Sequence, residues 1–332
     1  MPSLKEIKGR IGSVKSTLKI TSAMKLVASA KLRKAQLTIE GMRPYERKLQ
    51  EILARLMEQG GTAAAVSGAF SRVRSQGDAE ETAAAAPQRI ALVAFASNSS
   101  LCGAFNANVV RLALETLRSY GNADVTVYSV GRKMAESMKK VGKTSPEDYQ
   151  KLADKPSYAP AAELAESLMD AFSEGRLDRV DLVYTHFVSS GKQVAVRETL
   201  LPMEISPLAS LGRNDNSPVI SSGASPVIPS GASPVISSGA EGAVEKSDRD
   251  YILEPSAAEL LEDLLPKTLR LKFYTALLDS NASEHAARTV AMQTATDNGE
   301  DLLQELTLQY NKGRQQKITS EILDLAGGQT RD

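Results

Sequence analysis

With Cys102 its single cysteine, the chain cannot close an internal disulfide, and nothing in it argues for an oxidising compartment. Tryptophan is absent, so no Trp is available for a belt at a membrane interface. No apolar run approaches the roughly 20 residues needed to span a bilayer. His186 and His285 are the only histidines, far apart and without a cysteine or second histidine at ligand spacing, which argues against a metal site. No G-x-G-x-x-G occurs, which removes the usual dinucleotide fingerprint. The 332 residues allow one large domain or two modest ones, and their formal net charge is zero. That zero hides an imbalance: nine basic residues face Glu6 alone between Met1 and Ile39, whereas seven basic face eleven acidic between Ser256 and Ala326.

What the chain does have is length in helices. Leu4, Ile7, Ile11, Val14, Leu18, Thr21, Lys25, Ala28, Leu32, Ala35, Ile39, Met42, Glu46, Leu49, Leu53 and Leu56 follow one another in steps of three and four. Only Thr21, Lys25 and Glu46 interrupt the apolar stripe, and a seven-residue repeat sustained this far is the pattern of a coiled-coil seam. Ser3 and Glu6 supply an S-x-x-E capping box at the start, Gly60 and Gly61 a stop, and Gly41 and Pro44 a place to bend. Alanines around Ala28 and Ala35 would let a partner helix come close. The basic, acid-poor start has the composition of a mitochondrial presequence, but the helical pattern runs past any cleavable length. The positive face could serve nucleic acid or an anionic membrane as well as a protein partner. No aromatic platform accompanies it, and the stripe is narrow and Ala-rich, which suits a helix better than lipid.

Residues 60–88 are rich in Ala, Ser and Gly and read as a linker. The middle then alternates: a buried strand over Arg89–Ser97, a helix to about Tyr120, a strand over Asp124–Val130, helices in "GRKMAESMKKVG" and Ala162–Gly175, and a hairpin of "RVDLVYTHFVS" and "KQVAVRETLL" around Ser190 and Gly191. This order predicts an α/β domain with a mixed sheet. "VGKTS" at Val141–Ser145 mimics part of a phosphate loop, but Ser137 stands where its first glycine should be and the preceding segment reads as helix. Cys102 follows a strand, where a nucleophile could sit, yet no flanking histidine supports that role, and a structural thiol is the better reading. Ser217–Ala240 repeats an eight-residue unit, "SPVISSGA", three times with small changes; its prolines and glycines exclude a helix and predict a flexible insertion.

The end is a second long helical segment, opened by an S-x-x-E box at Ser256 and Glu259, carrying Pro266 in its early turns and stopped at Gly327 and Gly328. Two such helices enclosing one α/β domain are expected to pair antiparallel, the basic front against the acidic rear. Three blocks, "LKEIKGRIGSVKSTLKITSAMKLVASAKLRKAQ", "SNSSLCGAFN" and "SEHAARTVAMQTATDNGEDLLQELTLQYNKGRQQKITSEILDLAGG", are similar to those of the gamma subunits of F-type ATP synthases. The similarity spans the chain apart from 60–88 and the repeat. In "SNSSLCGAF" the chain departs from the Arg-Gly that such subunits more often place before Leu-Cys-Gly.

The resemblance implies an α/β chain with a long antiparallel coiled coil of its terminal helices and a central Rossmann-like domain with a mixed sheet. The expected parts are a coiled-coil helix over 1–58, a linker over 59–88, a foot domain over 89–210, a low-complexity insertion over 211–250 and a second coiled-coil helix over 256–328. It implies a rotating central stalk, turned by a membrane ring of c subunits inside a ring of six alternating alpha and beta subunits, with the epsilon subunit on the foot. It implies no catalytic residue, cofactor or metal of the chain's own, and a peripheral place on the cytoplasmic face of a bacterial inner membrane. Carried over by position, Met24 and Lys25 would lie near an acidic loop of beta, Arg288 would contact the ring midway, and Arg314, Gln315, Thr319 and Glu321 would meet loops at its waist. Foot contacts would fall on Lys192 to Pro202. The competing readings are an α/β enzyme with a coiled-coil oligomerisation stalk, and a nucleic-acid-binding coiled coil.

Overall fold

The computed structural model describes residues 3–59, 89–121, 123–203 and 257–328. Gly60 and Gly61, the linker to residue 88, the repeat Ser217–Ala240, and Ser256 of the rear capping signal lie outside the described residues.

Helix α1 runs over Leu4–Gln59, passing through Gly41 and Pro44 without interruption. Ser3 Oγ accepts the Glu6 amide at 3.3 Å, so half of the capping box forms. The Glu6 carboxylate turns instead to Arg10, one helical turn on, at 3.4 Å. Helix α6, Ala257–Gly328, closes the described chain. With 56 and 72 residues the two helices extend about 84 and 108 Å at 1.5 Å per residue.

They pack antiparallel in one register. Leu4 lies against Gly313, Leu18 against Gly299, and Thr21 Oγ1 accepts a hydrogen bond from Thr296 Oγ1 at 3.0 Å. Further along, Leu32, Ala35 and Ile39 meet Leu278, Ala282 and Ala286, and Leu53 and Leu56 meet Leu261 and Leu265. Every position of the expected stripe from Leu4 to Leu56 is buried or half-buried. The seam is therefore held by apolar packing. The basic front does lie along the acidic rear as expected, with Lys15, Lys19, Arg33 and Lys34 pointing into solvent rather than into the seam. A cation at a seam position loses hydration, so the repeat turns those side chains outward; Lys25, at a stripe position, stays half-buried.

Between the helices lie β1 (Arg89–Phe95), α2 (Phe105–Ser119), β2 (Asp124–Val130), α3 (Arg132–Lys139), α4 (Gln150–Asp154), α5 (Tyr158–Ser173), β3 (Arg179–Ser189) and β4 (Lys192–Leu201). The strand order is β2-β1-β3-β4, with the first three parallel and β4 antiparallel at the edge, so the mixed sheet expected from the sequence is present. The apolar run of β1 is continuous because both of its faces are covered. Ile90, Leu92 and Ala94 join Val109 and Ala113 of α2 and Met134 and Met138 of α3. Ala91, Val93 and Phe95 join Leu164, Ala165 and Leu168 of α5 together with Leu269, Phe273, Ala276 and Leu277 of α6. The rear helix thus serves as part of the sheet's cover and as half of the coiled coil. The short α4 was not expected; five residues give no readable helical period.

Asp181 of β3 is completely buried and gathers three donors: Arg179 Nε at 2.9 Å, Arg197 Nη2 at 2.9 Å, and the Tyr120 hydroxyl at the end of α2. Arg197 also stacks over the Tyr120 ring, 4.9 Å from its centroid. Burial, with the bond to Asp181, raises the Tyr120 pKa, so this phenol stays a donor.

Gly131, between β2 and α3, has φ +103°, and a Cβ there would stand 2.1 Å from the Ala96 carbonyl oxygen. Both the backbone angle and the space require glycine. Gly131→Ala is expected to cost about 3 kcal/mol of domain stability, read as a lowered urea midpoint. An unchanged midpoint would mean that this junction is looser than described.

Candidate functional site

The end of β1 is where a doubly wound sheet would bind a phosphate, and here the chain fills that position itself. Ser97 donates from its backbone amide to Asn106 Oδ1 at 3.1 Å and from its hydroxyl to the Ser99 carbonyl at 2.5 Å. Asn98 Oδ1 accepts the Arg132 amide at 2.9 Å, while its Nδ2 donates to the Gln150 carbonyl at 2.7 Å. Leu101 takes φ +68°, a left-handed value, in the stretch where the sequence departs from the family pattern. Helix α6 lies across the start of α2: a Cβ on Gly103 would come 3.7 Å from the Ala291 Cβ. Cys102 is 1% exposed, with Asn106 Nδ2 3.1 Å from its sulfur, as befits a structural thiol. "VGKTS" closes α3 rather than opening a helix, and Lys143 Nζ is spent on the Val125 carbonyl at 2.9 Å.

Arg288 of α6 clasps this turn. Its guanidinium donates to the Ser100 carbonyl at 2.6 Å, to Ser99 Oγ at 2.8 Å and to Glu284 Oε1 at 2.7 Å. Arg288 is thus used within the chain, linking the coiled coil to the α/β domain. Beside it, Met24, Val27 and Lys31 of α1 face Asn98, Asp154 and His285 across a cavity of about 270 Å³. Burial, reinforced by Lys31 and Arg288, pushes the His285 pKa down to about 4, so this imidazole is neutral near pH 7, and its Nδ1 has no hydrogen-bond partner among the described residues. Burial also raises the Glu284 pKa, against the opposing pull of Arg288.

The other residues singled out from the sequence are spread along the molecule. Lys25 sits half-buried on the seam next to Met24. Arg314, Gln315, Thr319 and Glu321 lie on the part of α6 that extends beyond Leu4, where α1 no longer covers it, and all four are exposed. Thr319 Oγ1 bonds back to the Gln315 carbonyl at 2.9 Å, and Glu321 stands 3.8 Å from Lys317. Ile318, Ile322 and Leu325 are exposed on the same stretch, at spacings that place them on one face. Lys192 is exposed at the start of edge strand β4, its amide bonded to Ser189 Oγ at 3.1 Å. The structure therefore brings Met24 and Arg288 to one cavity, leaves the waist group on the bare end of α6, and sets Lys192 apart on the sheet edge. The acceptors of Arg288 were not anticipated. Ser99 and Ser100 lie almost 190 positions away, and the only signal was the polar "SNSS" turn itself.

A family model described as ATP synthase matches residues 3–330. The ATP synthase gamma chain of Bacteroides fragilis is 49% identical over 331 residues, covering 99% of either chain, and that of Bacteroides thetaiotaomicron is 45% identical over the same span. Among solved structures, a chain of the Euglena gracilis mitochondrial ATP synthase, described as OSCP/F1/c-ring in rotational state 3, aligns with TM-score 0.58 at 20% identity, over 98% of this chain and 93% of the other.

Proposed function

The chain belongs to the ATP synthase gamma chain family, a non-catalytic rotor of the central stalk, and from that premise we propose how its parts divide the work. The coiled coil is the axle, and the bare end of α6 is its tip inside a ring of alternating alpha and beta subunits. The α/β domain is the foot, seated with the epsilon subunit on the c-subunit ring. Nucleotide chemistry belongs to the surrounding ring. The chain needs no cofactor for this role. Among the described residues no helix is long and apolar enough to cross a membrane. Attachment to the cytoplasmic face of a bacterial inner membrane would then run through the c ring.

The observation that carries this reading is that one helix belongs to both axle and foot. Leu269, Phe273, Ala276 and Leu277 of α6 complete the sheet's core, and within the next turns Leu278, Ala282 and Ala286 enter the seam. Interiors packed this densely do not shear without large cost, so a turn applied to the foot reaches the axle without an intervening joint. The Arg288 clasp adds a polar tie at the same level. Beyond Leu4 the axle consists of α6 alone, so it is asymmetric, and its rotation would present a different face to each catalytic site in succession. The outward lysines and arginines of α1 have no role in the seam, and they suit acidic loops of the ring.

Met24, Lys25, Arg288, Arg314, Gln315, Thr319, Glu321 and Lys192 are the proposed contacts, with Arg288 acting chiefly from within. Lys25→Glu tests the first of them. Placing a carboxylate opposite an acidic loop should lower the protons pumped per ATP hydrolysed at least about twofold, with the complex still assembled. Unaltered pumping per ATP in membrane vesicles would remove Lys25 from the contact surface.

A further inference from the structure

The last residues of β3 lie on the coiled coil. Phe187 packs against the seam cluster of Leu32, Ala35, Ile39 and Leu278, and Ser283 Oγ of α6 donates to the Thr185 carbonyl at 3.0 Å. Between these two anchors His186 Nδ1 stands 2.6 Å from Asp279 Oδ2. The Asp279 side chain is only 6% exposed, and its second oxygen, Oδ1, has no hydrogen-bond partner among the described residues. The other charged and titratable groups facing this pair come from every element packed there: Arg43 and Glu46 of α1, Tyr184 of β3, Glu198 of β4 and Lys272 of α6. Lys272 is committed to Glu198 at 2.9 Å, and Tyr184 donates to the same carboxylate at 2.9 Å. Just past His186 the sheet loses its regular pairing, with a register shift between Phe187 and Ser189 before the exposed turn at Ser190 and Gly191.

We propose that His186, Asp279 and Glu46 form a proton-operated latch, which fastens the β3–β4 hairpin to the coiled coil when protonated and loosens it when deprotonated. Among the described residues the buried carboxylate of Asp279 has one close partner, and that partner is a group whose charge changes near neutral pH. With His186 protonated the pair is an ion pair. With His186 neutral, a buried anion keeps a weaker hydrogen bond and faces Glu46 from across the seam. Glu46 works in the same direction. Its uptake of a proton removes a like charge beside Asp279 and Glu198.

The signs agree. The hydrogen bond to Asp279 raises the His186 pKa, against the opposing effect of burial. Its contribution is therefore complete below the unfolded value of about 6.5 and is lost as pH rises through the folded one. Burial, then Asp279 and Glu198, raise the Glu46 pKa above its ordinary 4.5, so its proton also favours the closed joint, in a window that opens at lower pH. Near neutrality His186 is the operative group.

The test uses the full-length chain and its two histidines. Their imidazole resonances are followed by NMR across the pH range. His285 is expected to stay silent above ~pH 5.5, because its pKa is held at about 4, and His186 is expected to titrate above 6.5. Hydrogen exchange supplies the second readout: protection factors of amides in 184–196, corrected for the intrinsic rate, should fall at least about threefold between ~pH 6 and ~pH 8.5. His186→Gln, which keeps a hydrogen bond but cannot titrate, should flatten that dependence, and Asp279→Asn should bring the His186 pKa down. A wild-type His186 that titrates at or below 6.5, or a fall in protection that persists unchanged in His186→Gln, would overturn the latch.

Discussion

A disulfide between Met24→Cys and a cysteine placed in the facing acidic loop of a beta subunit is expected to abolish ATP turnover, with full recovery on reduction. Cys102→Ser gives a background without other thiols in this chain, and the native thiol is buried in any case. Met24 lines the cavity between α1 and the turn after β1 but is only half-buried, so part of its side chain remains open to a neighbour. A disulfide forms only when the two Cα atoms approach within about 7 Å, so the yield on oxidation itself measures the proposed proximity. A single covalent bond fixes the one axle against one of several equivalent beta subunits. If each site needs the axle to present successive faces, all must stop together. The effect is then near-complete loss of turnover in the crosslinked fraction. A loss limited to the share of one beta subunit would indicate local damage at that subunit.

Asp181→Ala is expected to be among the most damaging single changes to the foot, at about 3 kcal/mol. The carboxylate is wholly buried and is the common acceptor for Arg179, Arg197 and Tyr120. Its removal takes away the common acceptor of two cations and a hydroxyl, leaving Arg179 its bond to Thr199 Oγ1 at 2.7 Å and Arg197 a long one to Ser119 Oγ at 3.4 Å. The side chains of Arg179 and Arg197 are each about 31% exposed, so water relieves part of the cost, which sets the figure at the lower end for broken buried pairs. Asp181→Asn should lose less, since the amide oxygen still accepts. The urea midpoint of the purified chain, followed by far-ultraviolet circular dichroism, measures both. Equal midpoints for wild type and Asp181→Ala would show that the cluster is a surface ornament rather than the link between α2, β3 and β4.

The coiled coil was legible because its signal is local. A repeat of three and four depends only on residues a turn apart, and the stripe from Leu4 to Leu56 needs no knowledge of the partner. Even its interruptions were visible as polar positions. What they do was not: Thr21 bonds Thr296, and Glu46 faces Asp279 and Glu198, through neighbours supplied by distant parts of the chain. The alternation of strands and helices was equally readable, since periods of two and 3.6 differ over a few residues. α4 escaped because five residues do not complete a pattern. The direction of Arg288 escaped for another reason. A guanidinium on a helix reads the same whether it faces solvent, a partner or its own chain, and only the fold brings Ser99 and Ser100 within its reach. His186 and Asp279 were individually visible, but nothing in the order of residues sets a strand end beside the middle of a helix more than 90 positions later.

Rotation of this chain inside the assembled complex tests the central claim most directly. Lys140 is exposed just past α3 of the foot and is not one of the proposed contacts, so Lys140→Cys in a Cys102→Ser background can carry a probe such as a gold particle. With the alpha/beta ring fixed to a surface and ATP supplied, the probe should turn continuously in one direction, and it should stop when the Met24→Cys disulfide is formed and resume on reduction. A probe that holds one orientation while the same immobilised complexes hydrolyse ATP would contradict the account.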